Sequence, residues 1–172
     1  MDTKTILEMD YLRYTGKIDP YIKKYLKLFR KTQACENKLK YLVYHWMLKR
    51  HRIKRGLEID APVKIGPGFC IVHPFNITIN DKVIIGSNCN IHKGVLIGQE
   101  NRGERKGAPI IGDKVWIGAN ACIVGGITIG SDVLIAPNSF VNKTIPSHSI
   151  VFGNPCIIVS RDNATKEYIN LQ

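Results

Sequence analysis

The chain has 172 residues, of which 44% are hydrophobic, a size that fits one compact domain and excludes a second full one. No apolar run approaches the roughly 20 residues that cross a bilayer, and the acidic start lacks the apolar core of a signal peptide, so we expect a soluble or peripheral cytoplasmic protein. The five cysteines include no Cys-x-x-Cys pair, which argues against a disulfide framework and a zinc site.

The N-terminal third of the chain is basic and helical in its pattern. Apolar residues recur there at helical spacing, with breaks rich in Gly, Pro or Asn, which predicts two or three short helices in a segment spanning residues 1–56. Residues 1–58 hold 15 of the 25 Lys and Arg residues but only 6 of the 14 Asp and Glu residues, so most of the net charge of +11 lies here. Such a segment is compatible with an anionic partner or with a solvated helix surface.

The last predicted helix, from Leu39 to Ile53, is amphipathic and basic, and we expect it to end at Gly56. Packing of its apolar side against the next domain or a sister subunit is one interpretation, and peripheral contact with a membrane surface is the other. The residues of that apolar side are Leu39, Leu42, Val43, Trp46 and Met47.

From Leu57 onward a six-residue repeat replaces the helical spacing. An aliphatic anchor recurs at every sixth position, and the fourth residue after nearly every anchor is small or apolar. This period is typical of a parallel β-helix, in which three short strands form one coil and the anchors stack inside it. We therefore predict a mainly β fold with a β-helix domain over 57–159 and a C-terminal tail over 160–172. The anchors are Ile59, Ile65, Ile71, Ile79, Ile85, Ile91, Ile97, Ile111, Ile117, Ile123, Ile129, Ile135 and Val141.

The repeat slips twice, by two residues between Ile71 and Ile79 and by eight between Ile97 and Ile111. Insertions in a solenoid protrude from the coil, where binding and catalytic residues concentrate. The first insertion carries His73, and an imidazole suits a general base that takes a proton from an alcohol. Glu58 lies close to one coil earlier, so its carboxylate is a candidate to orient that imidazole.

Further candidate residues lie on the next coil and on the second insertion. His92 follows His73 by about one coil and is expected to line the same cleft. The second insertion, residues 99–109, is polar and charged, and its Arg102, Arg105 and Lys106 are candidates to hold an acceptor carboxylate or a cofactor phosphate. Simple solvent exposure is the alternative for each of these cations.

Several segments of the repeat region resemble the catalytic half of the serine O-acetyltransferase family. The resemblance is closest to the shorter relatives that O-acetylate capsular or exopolysaccharide sugars, and it extends over about residues 56–159. It rests on the segments 61–66, 73–74, 95–98, 114–121 and 149–155.

This resemblance implies a left-handed β-helix assembled as a homotrimer, with acetyl-CoA as acyl donor in the groove between neighbouring subunits and no metal. The family's catalytic histidine corresponds to His73, its orienting acid to Glu58 and its acceptor-side arginine to Arg105. Its oxyanion-stabilising and cofactor-binding positions correspond to Gly98, Gln99, Gly118, Ala119, Ala136, Pro137 and Lys143.

Two positions depart from the serine-specific pattern. Those family members have an acidic residue directly before the catalytic histidine and a second histidine after the loop arginine, where this chain has Val72 and Lys106. Since an acid that would pair with the amino group of serine is missing, we expect the acceptor to be a hydroxyl of a sugar or polysaccharide precursor rather than that of serine, and we expect no nucleic-acid partner. The alternatives are serine, for cysteine biosynthesis, and a non-catalytic hexapeptide-repeat scaffold.

Overall fold

The N-terminal segment consists of three helices in a computed structural model that describes residues 1–171. The helices are α1 (Thr3–Leu12), α2 (Pro20–Gln33) and α3 (Lys38–Arg52), and α3 continues into a 3-10 turn (Ile53–Arg55). Gly56 ends this turn in the left-handed conformation, with φ 64°, as the sequence predicted. No helix within residues 1–171 combines the length and the apolar composition needed to cross a membrane.

The remainder of the described chain is a solenoid of short strands, which confirms the predicted β-helix. Up to β13 every third strand pairs in parallel, and β14 then pairs in parallel with β12. The result is face 1 (β1, β4, β7, β10, β13), face 2 (β2, β5, β8, β11) and face 3 (β3, β6, β9, β12, β14), with β15 added antiparallel to β14. The strands are β1 (Leu57–Ile59), β2 (Lys64–Ile65), β3 (Cys70–Val72), β4 (Ile77–Ile79), β5 (Ile84–Ile85), β6 (Asn90–His92), β7 (Leu96–Gly98), β8 (Ile110–Ile111), β9 (Val115–Ile117), β10 (Cys122–Val124), β11 (Thr128–Ile129), β12 (Val133–Ile135), β13 (Phe140–Val141), β14 (Ser149–Phe152) and β15 (Ile157–Ser160).

The six-residue anchors form the interior of the solenoid. All of them are buried, and the most exposed, Ile65, retains only 8% of its accessible surface. The strand register stacks them coil on coil, so that Ile59 lies beside Ile79 and Ile79 beside Ile97 on face 1. Since burial of one such side chain contributes about 1.5–3 kcal/mol, the repeated anchors drive the winding of the chain.

A column of glycines lets the coils approach one another at the corner after face 2. A Cβ on Gly66 would lie 2.7 Å from the carbonyl carbon of Gly86, and a Cβ on Gly86 would lie 2.7 Å from that of Gly112. Both distances are shorter than carbon atoms allow, so any other residue would push the coils apart. The glycine that follows many anchors is therefore a packing requirement.

The helical segment covers the first coil of the solenoid. The Tyr25 hydroxyl donates to the Ile59 carbonyl at 3.0 Å, and the Arg30 guanidinium donates to the Ile65 and Gly66 carbonyls, each at 2.7 Å. Arg30 also forms a buried ion pair with Asp10 at 2.8 Å. Polar groups that the short strands of the first coil leave unpaired are thus satisfied by the helices.

A carboxylate holds the C-terminal tail against the solenoid. Asp132 accepts hydrogen bonds from the Ala164 N–H at 3.1 Å, from the Thr165 N–H and hydroxyl at 3.0 and 2.8 Å, and from His148 Nδ1 at 2.8 Å. Burial opposes ionisation of Asp132, but the hydrogen bonds from Thr165, His148 and Ala164 outweigh it and lower the pKa of Asp132 below its ordinary value.

Attachment of the tail is therefore expected to weaken in acid. A lowered native pKa means that the stabilisation is complete above the ordinary Asp value of about 3.9 and is lost as the pH falls through the native value. Replacement of Asp132 by Asn removes the charge, and hydrogen bonds to charged groups contribute about 1.5–3 kcal/mol, so protection of the Ala164 and Thr165 amides should fall roughly 10- to 100-fold at pH 7.

Hydrogen exchange followed by NMR measures this protection. The matched control is Asp162→Asn, an exposed carboxylate in the same tail, which should leave both amides unchanged. Equal exchange in wild type and Asp132→Asn, or constant protection of the wild-type amides from pH 5 to pH 2, would show that other contacts hold the tail.

Candidate active site

His73 lies in an insertion that interrupts the solenoid between β3 and β4. Its backbone is left-handed, with φ 54°, and its carbonyl accepts a hydrogen bond from the Phe75 N–H at 2.8 Å, which closes a tight turn. Asn76, at φ 53°, returns the chain to the solenoid. The His73 imidazole is exposed at the corner between face 3 and face 1, as expected for an insertion that leaves the coil.

A row of rings leads from His73 across face 3 to the tail. The ring centroids of His73 and His92 are 6.3 Å apart, those of His92 and Trp116 4.6 Å, and those of Trp116 and Tyr168 5.1 Å. Burial, and secondly the proximity of His73, lower the pKa of His92, so His92 is neutral at pH 7. A neutral His92 ring can form hydrogen bonds next to His73 without placing a second positive charge beside the His73 imidazole.

Trp116 and Tyr168 are members of this row that the sequence analysis missed. Trp116 directly follows an inward-pointing position on β9, so its outward direction was readable from the repeat. Tyr168 lies in the tail, beyond the last repeat. No residue spacing there predicts which face of the solenoid its side chain contacts.

Glu58 is the middle residue of β1, the edge strand of face 1 on the first coil. Its side chain is exposed and accepts a hydrogen bond from the Thr78 hydroxyl, at 3.3 Å, on the neighbouring strand β4. Within residues 1–171 no hydrogen bond joins Glu58 to His73. The predicted pairing of these two side chains therefore stays a prediction.

The second insertion folds into a short hairpin. Glu100 and Gly107 exchange backbone hydrogen bonds of 2.8 and 2.9 Å, and the Arg105 guanidinium makes two bonds to the Glu100 carboxylate, at 3.0 and 3.2 Å. This pair lies over Gly125, where a Cβ would come within 3.2 Å of the Arg105 Cβ. Arg105 is thereby oriented yet exposed, and Lys106 beside it forms no ion pair in the described part of the chain.

Two free backbone donors lie near these side chains. Outside the strands, the N–H groups of Gln99 and Ala119 have no hydrogen-bond acceptor within residues 1–171. An unpaired N–H of this kind is suited to stabilise a negatively charged oxygen. The predicted oxyanion position at Gln99 is compatible with this geometry. The same described residues contain no cluster of three or more His, Cys, Asp or Glu side chains able to hold a metal ion.

The candidate residues divide between two edges of face 1. We call the corner between faces 3 and 1 edge A, and the corner between faces 1 and 2 edge B. Because a strand of three residues separates them, the two edges are about 10 Å apart. One chain alone does not bring the two groups together. Edge A carries His73, His92, Gly118, Ala119, Ala136 and Pro137, and edge B carries Gly98, Gln99, Arg105, Lys106 and Lys143.

In sequence and in fold, the chain is similar to one group of known enzymes. Residues 108–143 match the family described as bacterial transferase hexapeptide (six repeats). Serine acetyltransferase from Staphylococcus aureus is 37% identical over 126 residues, which cover 73% of this chain and 59% of that protein. The chain thus spans less than two thirds of the length of this relative.

Solved structures show the same likeness in three dimensions. Serine acetyltransferase from Neisseria gonorrhoeae in complex with serine superposes with a TM-score of 0.72 at 26% identity, covering 92% of this chain and 69% of that one. A serine acetyltransferase in complex with CoA superposes with a TM-score of 0.70 at 25% identity, covering 83% of this chain and 58% of that one.

These findings contradict the predicted sugar or polysaccharide acceptor, which is therefore wrong. That prediction depended on two positions, Val72 and Lys106, whereas the likeness to serine acetyltransferases extends over 126 aligned residues. The refinement toward capsular and exopolysaccharide enzymes gains no support from any of these relatives. In sequence and in fold, this chain is similar to the serine acetyltransferases, and its residues 108–143 match the hexapeptide repeats of bacterial transferases.

Proposed function

We propose that the chain is an acetyl-CoA-dependent serine O-acetyltransferase that acts in the cytoplasm. The observation that carries this proposal is the exposed imidazole of His73, lifted out of a β-helix similar to those of serine acetyltransferases. The relatives solved with serine and with CoA supply the acceptor and the donor of the proposal.

His73 acts as the general base. It takes the proton of the serine hydroxyl while that oxygen attacks the thioester carbonyl of acetyl-CoA, forming a tetrahedral intermediate. A backbone N–H such as that of Gln99 stabilises the oxyanion, an interaction that contributes about 3–4 kcal/mol in other acyl-transfer enzymes. Collapse of the intermediate breaks the carbon–sulfur bond, and the CoA thiolate leaves with the proton that His73 had accepted. O-acetylserine and CoA are the products.

The remaining candidates position the substrates. Arg105 binds the serine carboxylate, because a guanidinium pairs with a carboxylate through two parallel hydrogen bonds. Its bonds to Glu100 hold the guanidinium in place before serine arrives. Glu58 orients the imidazole of His73 in the substrate-bound state, which requires a rotation of either side chain from its position in the free chain.

A homotrimer completes the site in this proposal. Edge A supplies the base and edge B the arginine, and a neighbouring subunit brings its edge B opposite edge A with acetyl-CoA between them. Light scattering should then give about three times the chain mass of 19.4 kDa. A monomeric and fully active enzyme would contradict this arrangement.

An acceptor assay tests the proposed reaction. The purified chain is incubated with acetyl-CoA, and the released CoA thiol is measured with L-serine, D-serine, glucose or N-acetylglucosamine as acceptor. We expect L-serine alone to raise CoA release above the acceptor-free rate. Faster CoA release with a sugar than with L-serine would reject the proposal of a serine acetyltransferase. So would the absence of CoA release with every acceptor while acetyl-CoA still raises the melting temperature.

A further inference from the structure

Helix α3 presents a continuous apolar stripe to the outside. Leu39, Leu42, Val43 and Trp46 follow the i, i+3, i+4, i+7 spacing of one helix face, and they are 76%, 61%, 55% and 59% exposed. Ile53, 67% exposed, continues the stripe beyond the helix. Opposite this face the helix packs inward through residues such as the buried Leu48. The side for which the sequence allowed either packing or membrane contact is therefore uncovered within the described chain.

Basic residues border the stripe on both sides. At 100° per residue, Lys40 and Lys54 flank it on one side and Lys38 and Lys49 on the other. None of these four lysines forms an ion pair with a residue up to Leu171. Arg50 lies within the stripe, its guanidinium 5.1 Å from the centre of the Trp46 ring. The fifteen residues of α3 include no Asp or Glu.

Helix α2 extends the basic border. Lys24 of α2 lines a shallow cleft together with Trp46, Arg50 and Lys54. A neighbouring cleft has an apolar floor and a rim formed by Lys23, Lys27 and Lys31 of α2. The surface that α2 and α3 share is thus apolar along the stripe and bordered by lysines of both helices.

A surface of this composition matches an anionic bilayer better than a second copy of the chain. Two α3 helices packed through their stripes would bring like charges together without any carboxylate on α3 to neutralise them. In an anionic lipid interface, apolar side chains enter the acyl region while the lysine stems reach back to the headgroups. Each cation near such a surface adds to the electrostatic attraction.

We propose that α3 docks the protein onto an anionic lipid surface, lying in the plane of the interface with Leu42, Val43 and Trp46 inserted below the headgroups. This inference is independent of the proposed catalytic activity, because none of the residues involved belongs to edge A or edge B. The occupant is a bilayer carrying phosphate headgroups of net negative charge.

Vesicle sedimentation tests the docking. Wild-type protein should sediment with vesicles of phosphatidylglycerol and phosphatidylcholine, less with phosphatidylcholine alone, and less as the salt concentration rises. The double variant Leu42→Gln, Trp46→Gln should lose more than tenfold in binding, since two inserted apolar side chains are removed. The matched control is Ile157→Gln, Val159→Gln on β15, a pair of similar exposure outside the helical segment, which should bind as wild type does.

Fluorescence gives a second readout that does not depend on sedimentation. The chain has two tryptophans, so Trp116→Phe leaves Trp46 as the only one, and its emission should shift to shorter wavelength with anionic vesicles and remain unchanged with neutral ones. Failure of the wild type to sediment with anionic vesicles would overturn the proposal. So would a lower oligomeric mass in the stripe variant, because it would show that a second copy covers this face.

Discussion

Replacement of His73 by alanine is expected to lower kcat for acetyl transfer by about 10²- to 10⁴-fold, the range that general base catalysis contributes. The imidazole is exposed, and its turn is closed by the backbone hydrogen bond from the Phe75 N–H, so the substitution leaves the solenoid core intact. Acetyl-CoA should still raise the melting temperature as it does in wild type, since the cofactor positions are unchanged. Steady-state CoA release, measured with saturating serine, gives the rate.

The chain offers a matched control in His148. This histidine is also exposed and left-handed, with φ 56°, but it hydrogen-bonds Asp132 on the side of the solenoid where the tail attaches. His148→Ala should retain close to the wild-type kcat. A near-wild-type kcat in His73→Ala would show that His73 is not the general base. So would an equal loss of kcat in His73→Ala and His148→Ala.

The sequence predicts the structure well where a residue repeat is present and poorly where it is absent. The anchors and their burial follow from the six-residue repeat, because an inward position is the same on every coil. The insertion at His73 was visible as a break in that repeat. The tail has no repeat, so the contacts of Tyr168 with Trp116, and of Thr165 with Asp132, were not predictable from spacing.

Helix α3 shows the limit of amphipathic patterns. A helical period identifies an apolar side but not what covers it, and α3 is apolar on two sides. The side centred on Leu48 packs inward, whereas the side containing Trp46, for which the sequence left both packing and membrane contact open, faces outward. Which of the two apolar sides of α3 is buried depends on where α2 and the first coil lie, and this is not readable from the sequence of α3.

The acceptor was mispredicted for a different reason. Val72 and Lys106 were interpreted through the charges that they lack, yet Arg105 presents an exposed guanidinium and Glu58 an exposed carboxylate on face 1. Acceptor choice is set by the complete arrangement around the base, including groups on the opposite edge. Two substitutions in a sequence do not reveal that arrangement.

Replacement of Arg30 by methionine is expected to lower the free energy of unfolding more than replacement of Asp132 or His73 does. Arg30 and Asp10 are 4% and 0% exposed at the side chain, and their ion pair measures 2.8 Å. Removal of one partner of a buried pair costs about 3–5 kcal/mol, because the remaining charge stays buried. Arg30→Met keeps most of the side-chain volume but leaves Asp10 without its cation and the Ile65 and Gly66 carbonyls without a donor.

Urea unfolding followed by circular dichroism, at one fixed protein concentration, measures this loss. Arg50→Met, an exposed arginine on α3, should change the free energy of unfolding by less than about 0.5 kcal/mol. The double variant Asp10→Leu, Arg30→Met should recover part of the loss, since no unpaired charge remains, although the Phe69 N–H then lacks the Asp10 acceptor at 2.9 Å. If Arg30→Met instead costs less than 1 kcal/mol, then apolar packing around Tyr25 and Phe29, and not this ion pair, attaches the helices to the first coil.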